Sequence, residues 1–186
     1  MQVRKLLVIG VTLASFVAGS AIAQDKAAKQ AEVRAKAAQT LADFYKADPK
    51  LKNAVAKASG YAVFTTYGLS FLVGGAGGKG IAHDNKTKKD TYMDLAQASA
   101  GLQVGASDTR YLFVFKDAKS LAEFIDKGWD ASASASAGAG TGKDSATAGA
   151  GVGAFTGGNM YTLTKAGLQA GATVAGTKAW KDKELN

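Results

Sequence analysis

The chain has 186 residues, 47% of them hydrophobic, with 23 glycines, one proline and no cysteine. That length suits one domain beyond any targeting segment, and the missing cysteine excludes disulfides, thiol catalysis, Cys-ligated zinc and lipidation on cysteine. The formal charge of +8 is dispersed, with no run of five Lys or Arg, which fits an anionic surface or simple solubility and argues against nucleic acid.

Arg4 and Lys5 precede an apolar stretch that ends in Ala21-Ile22-Ala23 before Gln24. A positive start, an apolar run and an A-x-A site form a secretory signal pattern. Residues 1–23 are therefore expected to be removed after Ala23, leaving a periplasmic or secreted protein. Loss of Arg4 and Lys5 leaves about +6. The apolar run approaches spanning length, so a retained anchor is the alternative.

Residues 24–58 read as a helical segment. Val33, Ala37, Leu41 and Phe44/Tyr45 recur at helical spacing over 25–47. Asp48-Pro49 restarts a helix, with Asp48 as N-cap and Pro49 in the first turn, and Leu51, Ala54, Val55 and Ala58 form its stripe. Gly60 is expected to end it.

From Tyr61 the period becomes strand-like. Tyr61–Thr66 reads as a strand, Tyr67-Gly68 as a turn, and Leu69–Val73 as a second strand; Gly80–His83 is a candidate third. Asp84–Asp90 reads as a polar hairpin loop. Thr91–Leu95, Ser99–Val104 and Arg110–Phe115 follow as strands, the last richest in aromatic and β-branched residues. Asp117 is placed to cap a short helix over about 117–127, which Gly128 closes. Over 130–155 alanine alternates with serine and glycine on both sides of Thr141–Asp144, which reads as a hairpin, with a flexible linker as the alternative. Tyr161–Thr164 and Gly167–Gly176 complete the strands. The expected fold is α+β and mostly β: nine or ten short strands in a strongly curved antiparallel sheet or barrel. Its body spans 59–178 with 40–58 packed on it, and 179–186 reads as a charged tail.

Enzymatic motifs fail on inspection. Gly75-Ala-Gly-Gly-Lys-Gly80 has the glycine spacing of a dinucleotide loop, but Ile81-Ala-His-Asp does not open a helix, and no βαβ pattern surrounds it. His83 is the single histidine; with no cysteine and no G-x-S-x-G elbow, it reads as a solvated turn residue beside Asp84. Asp90/Asp94 and Glu123/Asp126 have ordinary surface spacing, Asn85-Lys86-Thr87 is a coincidental sequon, and Trp129 and Trp180 are candidates for core packing or interfacial anchoring. No catalytic residue, metal site or cofactor is assigned.

Five segments in order resemble the SYLF (Ysc84-type) lipid-binding domain family over roughly 40–178. They are Ala58–Phe64, Leu69–Gly80, Ala100–Ala106, Leu112–Phe115 and Lys165–Gly176, with Thr65 where the family usually has proline and Ser70 where it usually has glycine. The resemblance implies a lipid-binding module without catalysis. Eukaryotic members are associated with phosphoinositides and actin, and an exported chain is not expected to meet either. The expected partner is the anionic phospholipid surface at the periplasmic face of a bacterial membrane. The binding lysines suggested by the resemblance and the charge are Lys46, Lys50, Lys52, Lys57, Lys79, Lys86, Lys88 and Lys89. The alternative is a structural or envelope-stress protein with an envelope protein or polymer partner; a hydrolase using His83 is the third reading.

Overall fold

The computed structural model describes residues 15–71, 75–98, 109–131, 153–155, 157–164, 167–170 and 177–186. Two helices lead, α1 (Ser15–Ala47) and α2 (Lys50–Lys57). Strands β1 (Gly60–Phe71), β2 (Gly75–Asp84), β3 (Asp90–Ala98) and β4 (Arg110–Phe115) follow, then α3 (Ala118–Lys127) and the short β5 (Trp129–Asp130). The remaining strands are β6 (Gly153–Phe155), β7 (Gly158–Thr164), β8 (Gly167–Ala170) and β9 (Thr177–Lys181).

Local chemistry sets several boundaries. Pro49 already has helical angles, and the Asp48 carboxylate accepts the Lys50 amide at 2.9 Å, so the Asp-Pro pair starts α2 as expected. Asp117 likewise accepts the Ser120 amide at 2.8 Å to start α3, and Gly128 ends it at φ 74, a left-handed angle that glycine adopts without penalty. Gly60 plays a different part from the expected helix stop. It is the first residue of β1, and a Cβ there would lie 2.3 Å from the His83 carbonyl oxygen, so glycine is required by close strand approach.

Among the described residues nine antiparallel strands form one curled sheet, in the order β5-β9-β3-β2-β1-β4-β7-β6, with β8 also on β7. The expected turn at Tyr67-Gly68 is absent. β1 continues through it, and the register against β2 shifts between Tyr67 and Phe71, so the extra residues make an irregularity within the strand. The glycine run from Gly75 is the start of β2, with no helix N-terminus there to receive a phosphate. The strand expected at Ser99–Val104 and most of the 130–155 hairpin lie outside the described residues.

Alternation along the strands builds two cores. Val63, Ile81, Leu112 and Val114 face α1 and α2, meeting Val33, Ala37, Phe44, Leu51 and Val55. Ala62, Phe64, Phe113 and Phe115 face the other way, onto Leu121 and Phe124 of α3. The central strands are therefore buried on both faces, which explains the near-continuous apolar reading of Arg110–Phe115.

The segment read as a charged tail is part of the fold. β9 pairs with β3 on one side and β5 on the other. Leu185 is 4% exposed and Asp182 2% exposed. Asn186 acts as a peptide group in trans: its amide donates to the Tyr92 carbonyl at 2.7 Å and its oxygen accepts the Tyr92 amide at 3.0 Å. Lys26 and Gln30 of α1 donate to the main-chain oxygens of Asn186 and Leu185. These contacts clip the first half of α1 to the sheet.

Candidate functional site

One end of the sheet gathers lysines from four elements. The Asn85 side-chain amide donates to the carbonyls of Val55 and Ala58 at 2.8 and 2.9 Å, capping the last turn of α2. Its main-chain amide donates to Ser59 at 3.0 Å, and the Ser59 amide donates to the Phe115 carbonyl at 3.0 Å. Through these bonds the end of α2, the β2–β3 turn and the end of β4 meet, bringing the backbones that carry Lys57, Lys86, Lys88, Lys89 and Lys116 to one edge. Lys119 follows in the first turn of α3. All six side chains are exposed, and among the described residues none of them is in a salt bridge. Asn85, read as part of a sequon, is thus the joint of this edge.

The neighbouring carboxylates are engaged by backbone. Asp84 accepts the amides of Thr87 and Lys86 at 3.0 and 2.8 Å, and these hydrogen bonds hold it below the ordinary carboxylate range. The Ser120 hydrogen bonds do the same for Asp117. Both stay ionised near neutral pH while bound to amides, and six lysines against two aspartates leave the edge positive. Lys88 sits at φ 59, a left-handed turn conformation uncommon for a residue other than glycine.

The other proposed lysines separate. Lys46, Lys50 and Lys52 are exposed around the α1–α2 corner, and Lys50 lies two helical turns from Lys57 on the same flank of α2. Lys79 does not join them. Its ammonium lies 2.8 Å from Asp94 and 2.6 Å from the buried Asp182, so it holds the C-terminal segment to β2. Lys116 and Lys119 were missed because their membership depends on the β1–β4 register, in which Gly60 pairs with Phe115.

His83 is also not the solvated turn residue expected. It is in β2, opposite Asp90 and Tyr61, and its side chain is 20% exposed. Nδ1 lies 2.6 Å from Asp90, whose second oxygen is 3.3 Å from Arg34 Nε, and the ring lies 5.1 Å from Tyr61. Among the described residues no serine or threonine hydroxyl is bonded to this imidazole, and no group of three His, Cys, Asp or Glu side chains could hold a metal. No described helix is long and apolar enough to cross a membrane. Trp129 packs against Phe113 at 5.0 Å between ring centres, whereas Trp180 is 43% exposed.

Residues 96–186 match the model of the family described as "Ysc84: Las17-binding protein actin regulator". The protein called beta cell expansion factor A, from Aeromonas veronii, is 32% identical over 165 residues, 86% of this chain. Residues 96–186 thus carry a SYLF (Ysc84) family domain. It spans 60% of the length of the Aeromonas relative. The SYLF match takes in β9 and the final residues, so the segment that clips α1 lies within the family domain. The family is one of binding domains, and the features of this SYLF chain suited to binding are the lysine edge and a groove beside α1.

Proposed function

We propose that this SYLF protein is an exported, non-catalytic module that binds anionic phospholipid at the periplasmic face of a bacterial membrane, after removal of the segment before Gln24. The observation that carries this reading is the cluster of lysines at one edge of the sheet, held there by the Asn85 cap and outside any described ion pair. A lysine near an anionic leaflet contributes about 1 kcal/mol, and the attraction fades as salt shortens the screening length.

The mature protein is expected to sediment with phosphatidylglycerol-containing vesicles at low salt and to leave them as salt rises. Replacing Lys57, Lys86, Lys88 and Lys89 together by Glu removes at least four such contributions, so affinity is expected to drop about 10³-fold. Equal sedimentation with purely zwitterionic vesicles, or an unchanged affinity in the four-site variant, contradicts the reading. No vesicle binding together with reproducible capture of one envelope protein favours the protein-partner alternative.

A further inference from the structure

An open groove of about 370 Å³ runs between α1 and the β1–β2 strands. It exists because of which residues α1 turns toward it. Val33, Ala37 and Phe44 form the stripe that enters the core, while the adjacent flank carries Ala38 and Ala42, small residues one turn apart that leave space above Tyr61 and Ile81. The volume is at the lower end of ligand sites, which run from about 300 to 1,000 Å³. That size suits a single small amphiphile.

The lining is asymmetric. Alanine, leucine, isoleucine and tyrosine make the long wall, and the charged groups meet at Asp90. There His83 Nδ1 lies 2.6 Å from one carboxylate oxygen and Arg34 Nε 3.3 Å from the other, so Asp90 enters the groove as half of an ion pair and not as a lone charge. Arg34 approaches it through Nε, its guanidinium carbon lies 5.4 Å from the Tyr92 ring centre, and its side chain is 55% exposed, so its outer edge meets solvent at the end of the groove. Burial pushes the Tyr61 phenol up to about 12 and raises Tyr45 in the same direction, so both stay neutral and the long wall carries no charge.

We propose that this groove binds a single-chain anionic amphiphile of the fatty-acid class, with its chain against Ala38, Ala42, Tyr61 and Ile81 and its carboxylate on Arg34. A carboxylate suits the planar guanidinium fork, and the apolar wall accepts a chain that would otherwise stand in water. This site is separate from the lysine edge and does not depend on vesicle attachment.

The test is calorimetric titration of the mature protein with sodium laurate held below its micelle concentration, beside dodecanol and dodecyltrimethylammonium. One laurate per chain is expected, with the cationic analogue at least about tenfold weaker, as loss of one charge-assisted contact implies. Ala38→Trp and Ala42→Phe each fill the groove from exposed helix positions, and either is expected to weaken laurate at least tenfold. Arg34→Gln is expected to weaken laurate about tenfold and leave dodecanol unchanged. A variant with Lys57, Lys86 and Lys88 replaced by Glu and Lys89 kept is expected to keep laurate, and Ala38→Trp to keep vesicle sedimentation, so the two sites fail or stand separately. No saturable laurate binding, undiminished binding in both groove-filling variants, or equal binding of the cationic analogue overturns the proposal.

Discussion

Deleting residues 182–186 is expected to lower the unfolding free energy by about 4–6 kcal/mol, read as a fall in the urea midpoint. Loss of a buried leucine alone costs about 2–5 kcal/mol in a core, and Leu185 is 4% exposed. The deletion also leaves the Tyr92 amide and carbonyl without the Asn186 carboxamide, and Gln30 without the Leu185 oxygen. Lys79 loses its shorter carboxylate contact, to Asp182 at 2.6 Å. Domains of this size hold about 5–15 kcal/mol in total, so the shortened chain is expected to stand near unfolding at room temperature.

Acid narrows the difference between the two proteins. Burial alone would raise the Asp182 pKa, but hydrogen bonds from Lys79 and from the Leu185 and Glu184 amides outweigh it and lower the pKa. A carboxyl group with a lowered folded pKa stabilises the fold above its unfolded value and loses that contribution as pH falls through the folded one. The gap between full-length and shortened chains is therefore expected to be full at neutral pH and to shrink below about pH 4, the ordinary aspartate value. A gap that grows in acid contradicts this account of the clip.

Phe113→Ala is expected to cost about 3–5 kcal/mol, the range for large-to-small changes at aromatic core sites. Phe113 is fully buried, and its ring centre lies 5.9 Å from Phe64, 5.1 Å from Phe124 and 5.0 Å from Trp129. One side chain thus joins β1, α3 and β5. Ring pairs of this kind add about 0.5–1.5 kcal/mol each beyond their buried area, which places the expected cost toward the upper end. Equilibrium denaturation followed by circular dichroism measures it. A loss below about 1 kcal/mol would mean that α3 does not depend on this contact.

The features legible in the sequence are those that local chemistry decides. Asp48-Pro49 and Asp117 cap their helices through carboxylate–amide bonds within a few residues, and Asp84 builds the hairpin turn in the same way. Arg110–Phe115 was found with its exact ends because its residues suit a strand buried on both faces. The failures are long-range. Tyr67-Gly68 has turn-forming composition, yet pairing with β2 keeps β1 extended past it. Lys178, Lys181 and Lys183 made the last residues look solvated, and only the β3 register, with Met93 opposite Lys181, shows β9 to be an interior strand. That same pairing removed Lys79 from the binding set, since its second partner, Asp182, is 103 residues away.

The lysine edge divides along the same line. Lys86, Lys88 and Lys89 stood out as a polar turn, and Lys57 as the end of an amphipathic helix. Their convergence depends on Asn85 bridging to Val55, 30 residues earlier, which no spacing rule reports. The groove depends on long-range packing in the same way: Ala38 and Ala42 leave space only where Tyr61 and Ile81 lie beneath them.

The chain has no cysteine, so a single engineered thiol can report which surface meets a bilayer. An environment-sensitive fluorophore at Thr87→Cys sits in the β2–β3 turn among the lysines, while one at Lys127→Cys sits at the far end of α3. With phosphatidylglycerol vesicles the Thr87 label is expected to shift to the blue and to return on adding salt, and the Lys127 label to stay unchanged. A shift at Lys127 with none at Thr87 would contradict attachment through this edge.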